Sequence, residues 1–471
     1  MDRRLFFALF GVLVFLFVYF SPPWPDAVDP SGKSFPLTKE GKGAIALFLL
    51  AGIWWIAEVV PIGITSIAIG VFQVFFLIRP AKEAFRDFMD PAVLFIFGSM
   101  VIGSAFTKTG LTRRLAYTML RIVGERTKMI LLGSLVVTAL LTHVMAHTAV
   151  AATLLPILLA IYALYGEGDK RTNFGKALFI GMAYSAGAGS VVTFLGAART
   201  PAAAGLFKEF TGKDIGFFEL SLFMFPIGWS MVLLIWVYFM VFLKPEKKRV
   251  PGLKEKVAVL SDELGPMSTK EKVVLLVVFA IVVFMGLQSL LPALKVIDRS
   301  AIILTGTIIF FLLRILTIKD LEEIPWNIIL LFSGAMSLGF CLWKTGAAQW
   351  MAVMWLKMFE GAGFLVFLLG VTLLVLILTN FIMNVAAISI TLPIALIIAD
   401  YLKVPAELVL YASLAASGMP FMLLIGAAPN AIAYNSNQFT PVEFFKHGIV
   451  TSLMLILVVI IALTFYWPLL L

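Results

Sequence analysis

Long apolar runs alternate with short polar interruptions along this chain, and the runs come in two lengths. Runs of about one membrane thickness fall near 5–20, 43–60, 62–78, 91–107, 219–243, 271–292, 299–317, 326–343 and 448–470. A crossing helix needs about 20 mostly apolar residues, so each predicts one span. Four blocks are longer: 129–165, 174–209, 362–400 and 405–436. The first, Met129 to Tyr165, carries a polar knot, THVMAHT, from Thr142 to Thr148. Its two halves are each short of the roughly 30 Å hydrocarbon core. The pattern predicts a helical hairpin that enters and returns on one side, with its tip near mid-membrane. Non-helical backbone is tolerated at that depth only inside protein or beside a wet cavity, which makes the tip a candidate binding site. The block from Gly363 to Asp400 has its own polar tip, Thr379 to Asn384, and predicts a second hairpin. About eleven spans remain once both hairpins are counted as re-entrant.

The two halves repeat. Phe97–Gly110 (FGSMVIGSAFTKTG) answers Phe332–Gly346 (FSGAMSLGFCLWKTG), and Pro156 in the first hairpin answers Pro393 in the second. After each hairpin comes a span interrupted by small residues and Pro, Ser185–Gly205 and Ser417–Asn437. Such breaks free backbone N–H and C=O groups for ions or carboxylates. An odd number of spans per repeat inserts the copies in opposite orientations, which is a secondary-transporter pattern.

Composition narrows the class. With 61% hydrophobic and 13% charged residues, the chain reads as an all-α polytopic membrane protein, too continuously apolar for the alternating strands of a barrel. One cysteine, Cys341, excludes an intramolecular disulfide framework. The net charge of +9 sits in loops, where it signals topology rather than nucleic-acid binding. Lys and Arg favour the segments that are cytoplasmic if the N-terminus is inside and the C-terminus outside. The first apolar run is followed by SPPWPD, not by an A-x-A-like cleavage site, and is read as a retained helix. The segment around Arg113, Arg114 and Arg121 predicts an amphipathic helix on the cytoplasmic interface. Lys244–Lys272 reads as a cytoplasmic linker. Lys108 and Lys344 are read as helix C-terminal residues, Glu58 as structural, and the Trp54–Trp55 pair as interfacial or dimer packing.

Tips, breaks and repeat together resemble the divalent anion/sodium symporter family, carriers of dicarboxylates, citrate and sulfate, over nearly the whole chain. The resemblance implies an elevator-type homodimer in the inner cell membrane. It assigns 1–90 and 211–325 to scaffold helices, the latter with the linker. It assigns 91–210 and 326–437 to a transport domain with one hairpin and one broken helix each, and 438–471 to a C-terminal helix. The motifs depart from the family's Ser-Asn-Thr tips and Thr-Pro-Pro-Asn-like breaks. Here the tips are Ala146-His147-Thr148 and Met383-Asn384-Val385, and the breaks are Gly196–Thr200 and Gly426–Asn430. Thr148, Asn384 and Asn430 survive by position. Lost hydroxyls argue against two intact sodium sites, since sodium wants oxygen ligands.

In their place the sequence holds Arg199 and His147, which can compensate a buried dianion. The expected substrate site is His147, Thr148, Arg199, Thr200, Asn384 and Asn430, with Asn435 and Asn437 behind them. The expected activity is exchange of four- or five-carbon dicarboxylates, with no cofactor and no metal. A sodium-coupled symporter of the same anions is the alternative. An intramembrane metalloenzyme is more remote. His143 and His147 share the spacing of a zinc motif, but Val144 stands where its Glu would be and no third ligand is visible.

Overall fold

The computed structural model describes every residue except 1–2, 30–31, 58, 169, 357–362 and 382. Glu58 and Ile382 of the second tip therefore lie outside the described residues. The described chain is nearly all helix, with one two-residue strand pair, Ala27–Val28 against Ser34–Phe35.

The helices follow the apolar runs. The early spans are α1 (Arg3–Phe20), α2 (Lys39–Ile56) and α3 (Ile62–Phe75), followed by short α4 (Ala81–Arg86) and by α5 (Pro91–Thr109). Next come α6 (Leu111–Val123), the hairpin α7 (Thr127–Leu141) and α8 (His147–Tyr165), and the broken span α9 (Asn173–Ser190) and α10 (Arg199–Thr211). The middle holds α11 (Phe217–Phe242), α12 (Leu253–Glu263), α13 (Thr269–Leu290), α14 (Arg299–Leu312) and α15 (Ile318–Glu322). The second half has α16 (Trp326–Lys344), α17 (Ala347–Leu356), the hairpin α18 (Phe364–Phe381) and α19 (Asn384–Tyr401), the broken span α20 (Ala406–Gly418) and α21 (Ala428–Tyr434), and α22 (Pro441–Ile461). Among the described residues, eight helices are long and apolar enough to cross a membrane, and five shorter apolar ones accompany them.

The internal repeat is visible in the helix ends. α5 and α16 are both 19 residues long and both close on a glycine of positive φ, Gly110 at 84° and Gly346 at 73°. Such a residue ends a helix at little steric cost. α8 and α19 begin at the corresponding tip residues, His147 and Asn384, and carry Pro156 and Pro393 at the same interval.

The chain divides into two compact units. The first comprises 1–94, 201–215 and 325–417. Within it α16 lies so close to α3 that a Cβ on Gly334 would meet Ser66 Cβ at 2.3 Å. Arg79 is buried there against Asp87 at 2.7 Å and Gln73 at 3.3 Å. The two tryptophans hold helices together: Trp54 Nε1 donates to Ala8 O (3.3 Å) and Trp55 Nε1 to Ile62 O (3.4 Å).

The second unit comprises 95–200, 216–324 and 418–471. In it α7, α8, α11 and α21 all pack on α9, whose residues from Phe174 to Ser190 are buried with the exception of Lys176. Glu246 accepts from Asn173 N at 2.6 Å and Phe174 N at 3.3 Å, satisfying free amides at the start of that helix. Burial would raise the Glu246 carboxyl, but these backbone bonds and the Tyr165 hydroxyl outweigh it and hold it below the ordinary glutamate value. Arg114 of α6 is engaged rather than solvated: it pairs with Glu271 at 2.7 Å and donates to Gly265 O at 2.9 Å.

Candidate functional site

The first hairpin tip and the first helix break lie in the second unit and are stitched to each other by backbone groups. α7 ends at Leu141 and α8 starts at His147, so the tip is 142–146. The break runs between Ser190 and Arg199. His147 N donates to Gly196 O at 3.0 Å, and the Thr193 hydroxyl donates to His143 O at 2.7 Å. Gly196 allows the approach: a Cβ there would come within 2.5 Å of Thr142 O and 2.6 Å of Ser190 O, both backbone atoms. α8 and α10 therefore start near one another, and the unpaired N–H groups of a helix start favour negative charge.

Arg199 is the first residue of α10 and is 1% exposed. Its Nη2 donates to Ser190 Oγ at 2.7 Å. Nε and Nη1 are buried with no hydrogen-bond partner, and among the described residues no carboxylate pairs with the group. Gly418 lies against it, since a Cβ at that position would meet Nη2 at 2.8 Å. A buried, permanently charged guanidinium with unused donors on both sides of the engaged Nη2 is a receptor for a carboxylate.

The two histidines differ. His143 Nδ1 lies 3.0 Å from Gly189 O, and its Nε2 accepts from Trp229 Nε1 at 3.2 Å. Both ring nitrogens are thereby engaged, in the tautomer that donates from Nδ1, and the ring is not available as a metal ligand. His147 Nδ1 lies 3.3 Å from Gly196 O. With the proton on Nδ1, its Nε2 is an acceptor in the neutral ring and a donor only in the imidazolium. Thr148 is half-buried on the same first turn of α8. Thr200, fully buried beside Arg199, has a hydroxyl with no partner.

Asn430 is also in the second unit, 2% exposed. Its amide donates to Pro420 O at 2.8 Å and Leu423 O at 3.0 Å, so its donors close the second break. Asn435 caps α21. Asn437 has a positive φ of 57°, and its carbonyl accepts from Arg171 Nε at 3.1 Å. Asn384 belongs to the first unit, where the Thr379 hydroxyl lies 3.0 Å from its Oδ1 and 3.1 Å from Ser417 O. Thus the second hairpin falls in one unit and the break that follows it in the other.

Sequence reasoning missed Ser190 and Trp229. Ser190 sits in a Gly/Ala run that reads as close helix packing, and only the reversal of the chain at the break brings it to Arg199. Arg299 was missed as well; its guanidinium carbon lies 4.6 Å from the centroid of the Phe194 ring in the break.

Hairpin tip, interrupted helix and repeated halves define a multi-pass membrane transport protein rather than an enzyme. The profile of the family described as "Sodium:sulfate symporter transmembrane region" matches residues 4–471, and the chain belongs to that family. It is 27% identical to a sodium-dependent dicarboxylate transporter, SdcS, of Staphylococcus saprophyticus over 455 residues, covering 92% of this chain and 87% of the relative. The Staphylococcus aureus protein of the same name is 25% identical over 456 residues, with the same coverage. Among solved structures, the YdaH transporter of Alcanivorax borkumensis superposes with a TM-score of 0.59 at 11% identity, covering 98% of this chain and 97% of that one.

Proposed function

We propose that the protein exchanges four- or five-carbon dicarboxylates of the succinate, malate, fumarate and 2-oxoglutarate class across a cell membrane. Arg199 supplies the positive charge that binds one carboxylate. The observation that carries this reading is the buried Arg199 guanidinium with two unpartnered donors. The names of the staphylococcal relatives support dicarboxylates as the substrate class. Thr200 and Thr148 hydroxyls and the starts of α8 and α10 complete the polar lining. Asn430 contributes when the second break rearranges and frees its amide donors from Pro420 O and Leu423 O. The working protein is a homodimer moving its transport domain as an elevator, with the N-terminus inside and the C-terminus outside. The same relatives favour a second reading, sodium-coupled symport of these anions, because their names carry sodium dependence.

The substrate class is tested by uptake of labelled succinate into vesicles preloaded with unlabelled succinate. Malate, fumarate and 2-oxoglutarate are expected to compete and sulfate is not. Competition by sulfate alone would reassign the site.

His147 adds its charge as the imidazolium, the form in which Nε2 donates. Exchange by the native protein is therefore expected to strengthen as pH falls, through a lower KM. His147→Asn, which keeps a donor but does not titrate, is expected to flatten that profile. A pH profile of KM unchanged by the substitution would remove His147 from the charge balance.

A further inference from the structure

A second site lies away from the tip and the break. α6, α8 and α12 line a half-open cavity of about 690 Å³ within the second unit, with Arg113 and Lys256 exposed at its rim. Three features of its wall point to one kind of occupant. Two cations line it, Arg113 of α6 and Lys256 of α12, and neither has an ion-pair partner among the described residues. No carboxylate lines it among the described residues, although acidic residues are frequent in the neighbouring linker. The remaining wall is mostly aliphatic, including Ile157, Ile161 and Leu164 along α8.

The helices place these groups by simple spacing. Arg113 and Tyr117 stand one turn apart on α6, and Lys256 and Leu260 one turn apart on α12. Arg114, the next residue on α6, is turned away to Glu271, which leaves Arg113 as the cation of this face. Pro156 lies inside α8 at the cavity wall. It has no N–H, so it cannot donate to the Ala152 carbonyl, also on the wall. The cavity thus offers two cations, a phenol, a backbone carbonyl without its proline-position donor and an aliphatic floor. α6 itself has one apolar buried side and one basic side, the signature of a helix lying at a membrane interface.

We propose that this cavity is a binding site for an anionic phospholipid. Its phosphate lies between Arg113 and Lys256, the Ala152 carbonyl accepts from a headgroup hydroxyl, and an acyl chain runs along α8. A zwitterionic lipid brings its own cation to the same place and is disfavoured by the two basic side chains. Because α8 is the returning arm of the first hairpin, an occupant here braces the helix whose first residue is His147.

The test is native mass spectrometry of the intact purified protein with phosphatidylglycerol or phosphatidylcholine added to the detergent. Phosphatidylglycerol is expected to be retained and phosphatidylcholine to be lost at the same activation. In the Arg113→Ala/Lys256→Ala double variant, retention of phosphatidylglycerol is expected to weaken about 30-fold, from the usual worth of two basic side chains at a lipid surface. Arg113→Lys/Lys256→Arg is expected to keep it, which separates loss of charge from loss of fold. Equal retention of both lipids, or undiminished phosphatidylglycerol in the double alanine variant, would overturn the proposal. So would displacement of the lipid by inorganic phosphate or by succinate, which would make the cavity a free-anion site or part of the transport route.

Discussion

Arg199→Ala is expected to abolish dicarboxylate exchange while leaving the protein folded. The side chain is buried with one hydrogen bond, to Ser190, and two donors unused. A structural arginine in this position would have its donors satisfied, and its removal would strand partners. Here the only partner to be stranded among the described residues is the Ser190 hydroxyl, whereas substrate would lose charge-assisted hydrogen bonds. Removing one member of a buried charge pair costs about 3–5 kcal/mol, or more than a hundredfold in affinity. In the absence of substrate the same substitution deletes an unpaired buried charge, so thermal stability is expected to hold or to rise. Arg199→Lys keeps the charge but not the planar fork and is expected to retain only a remnant of activity. Calorimetric binding of succinate, alongside melting curves of the unliganded variants, separates the two roles. A variant that melts early yet still binds succinate would make Arg199 structural.

The second large effect is on the empty carrier. On the proposed reading, Arg199 and an imidazolium at His147 would balance the two negative charges of a bound dicarboxylate, and the loaded site would move nearly neutral. Empty, the guanidinium is unpaired. A charged residue at the centre of a bilayer costs about 2.5–3.5 kcal/mol on insertion scales. If the return of the empty carrier meets that cost, it slows by about two orders of magnitude, at 1.36 kcal/mol per tenfold. Uptake of labelled succinate into vesicles holding unlabelled succinate is therefore expected to exceed uptake into empty vesicles by about a hundredfold. Equal initial rates in the two preparations, driven by a sodium gradient, would instead favour symport.

Much of the architecture was legible because lipid leaves few options. An apolar run interrupted at its middle by polar residues breaks into two helices, and the Thr142–Thr148 and Thr379–Asn384 knots located both helix pairs, whose members α8, α18 and α19 are each long and apolar enough to cross a membrane. Gly, Ala and Pro inside 174–209 and 405–436 likewise located the broken helices. Less legible was where a tip ends and a helix begins. The sequence placed His147 and Thr148 in the tip, whereas α8 starts at His147, because Gly196 O accepts its N–H from across the break. That contact joins residues far apart in the chain and leaves no local signal. The same holds for Ser190, which becomes a partner only after the chain has doubled back. The division between Ser417 and Gly418 had no compositional mark either. Arg199 was legible for a simple reason: a permanent charge in a small-residue break stands out in a chain with 13% charged residues.

Fixed cationic side chains standing in for bound sodium is the idea on which the proposed mechanism turns. Titrating succinate into the purified protein by calorimetry, once in choline chloride and once in sodium chloride, tests it most directly. Binding of equal affinity in both salts, lost in Arg199→Ala, is the expected result. Binding that appears only when sodium is added would contradict it and return the protein to the sodium-coupled mode carried in the names of its staphylococcal relatives.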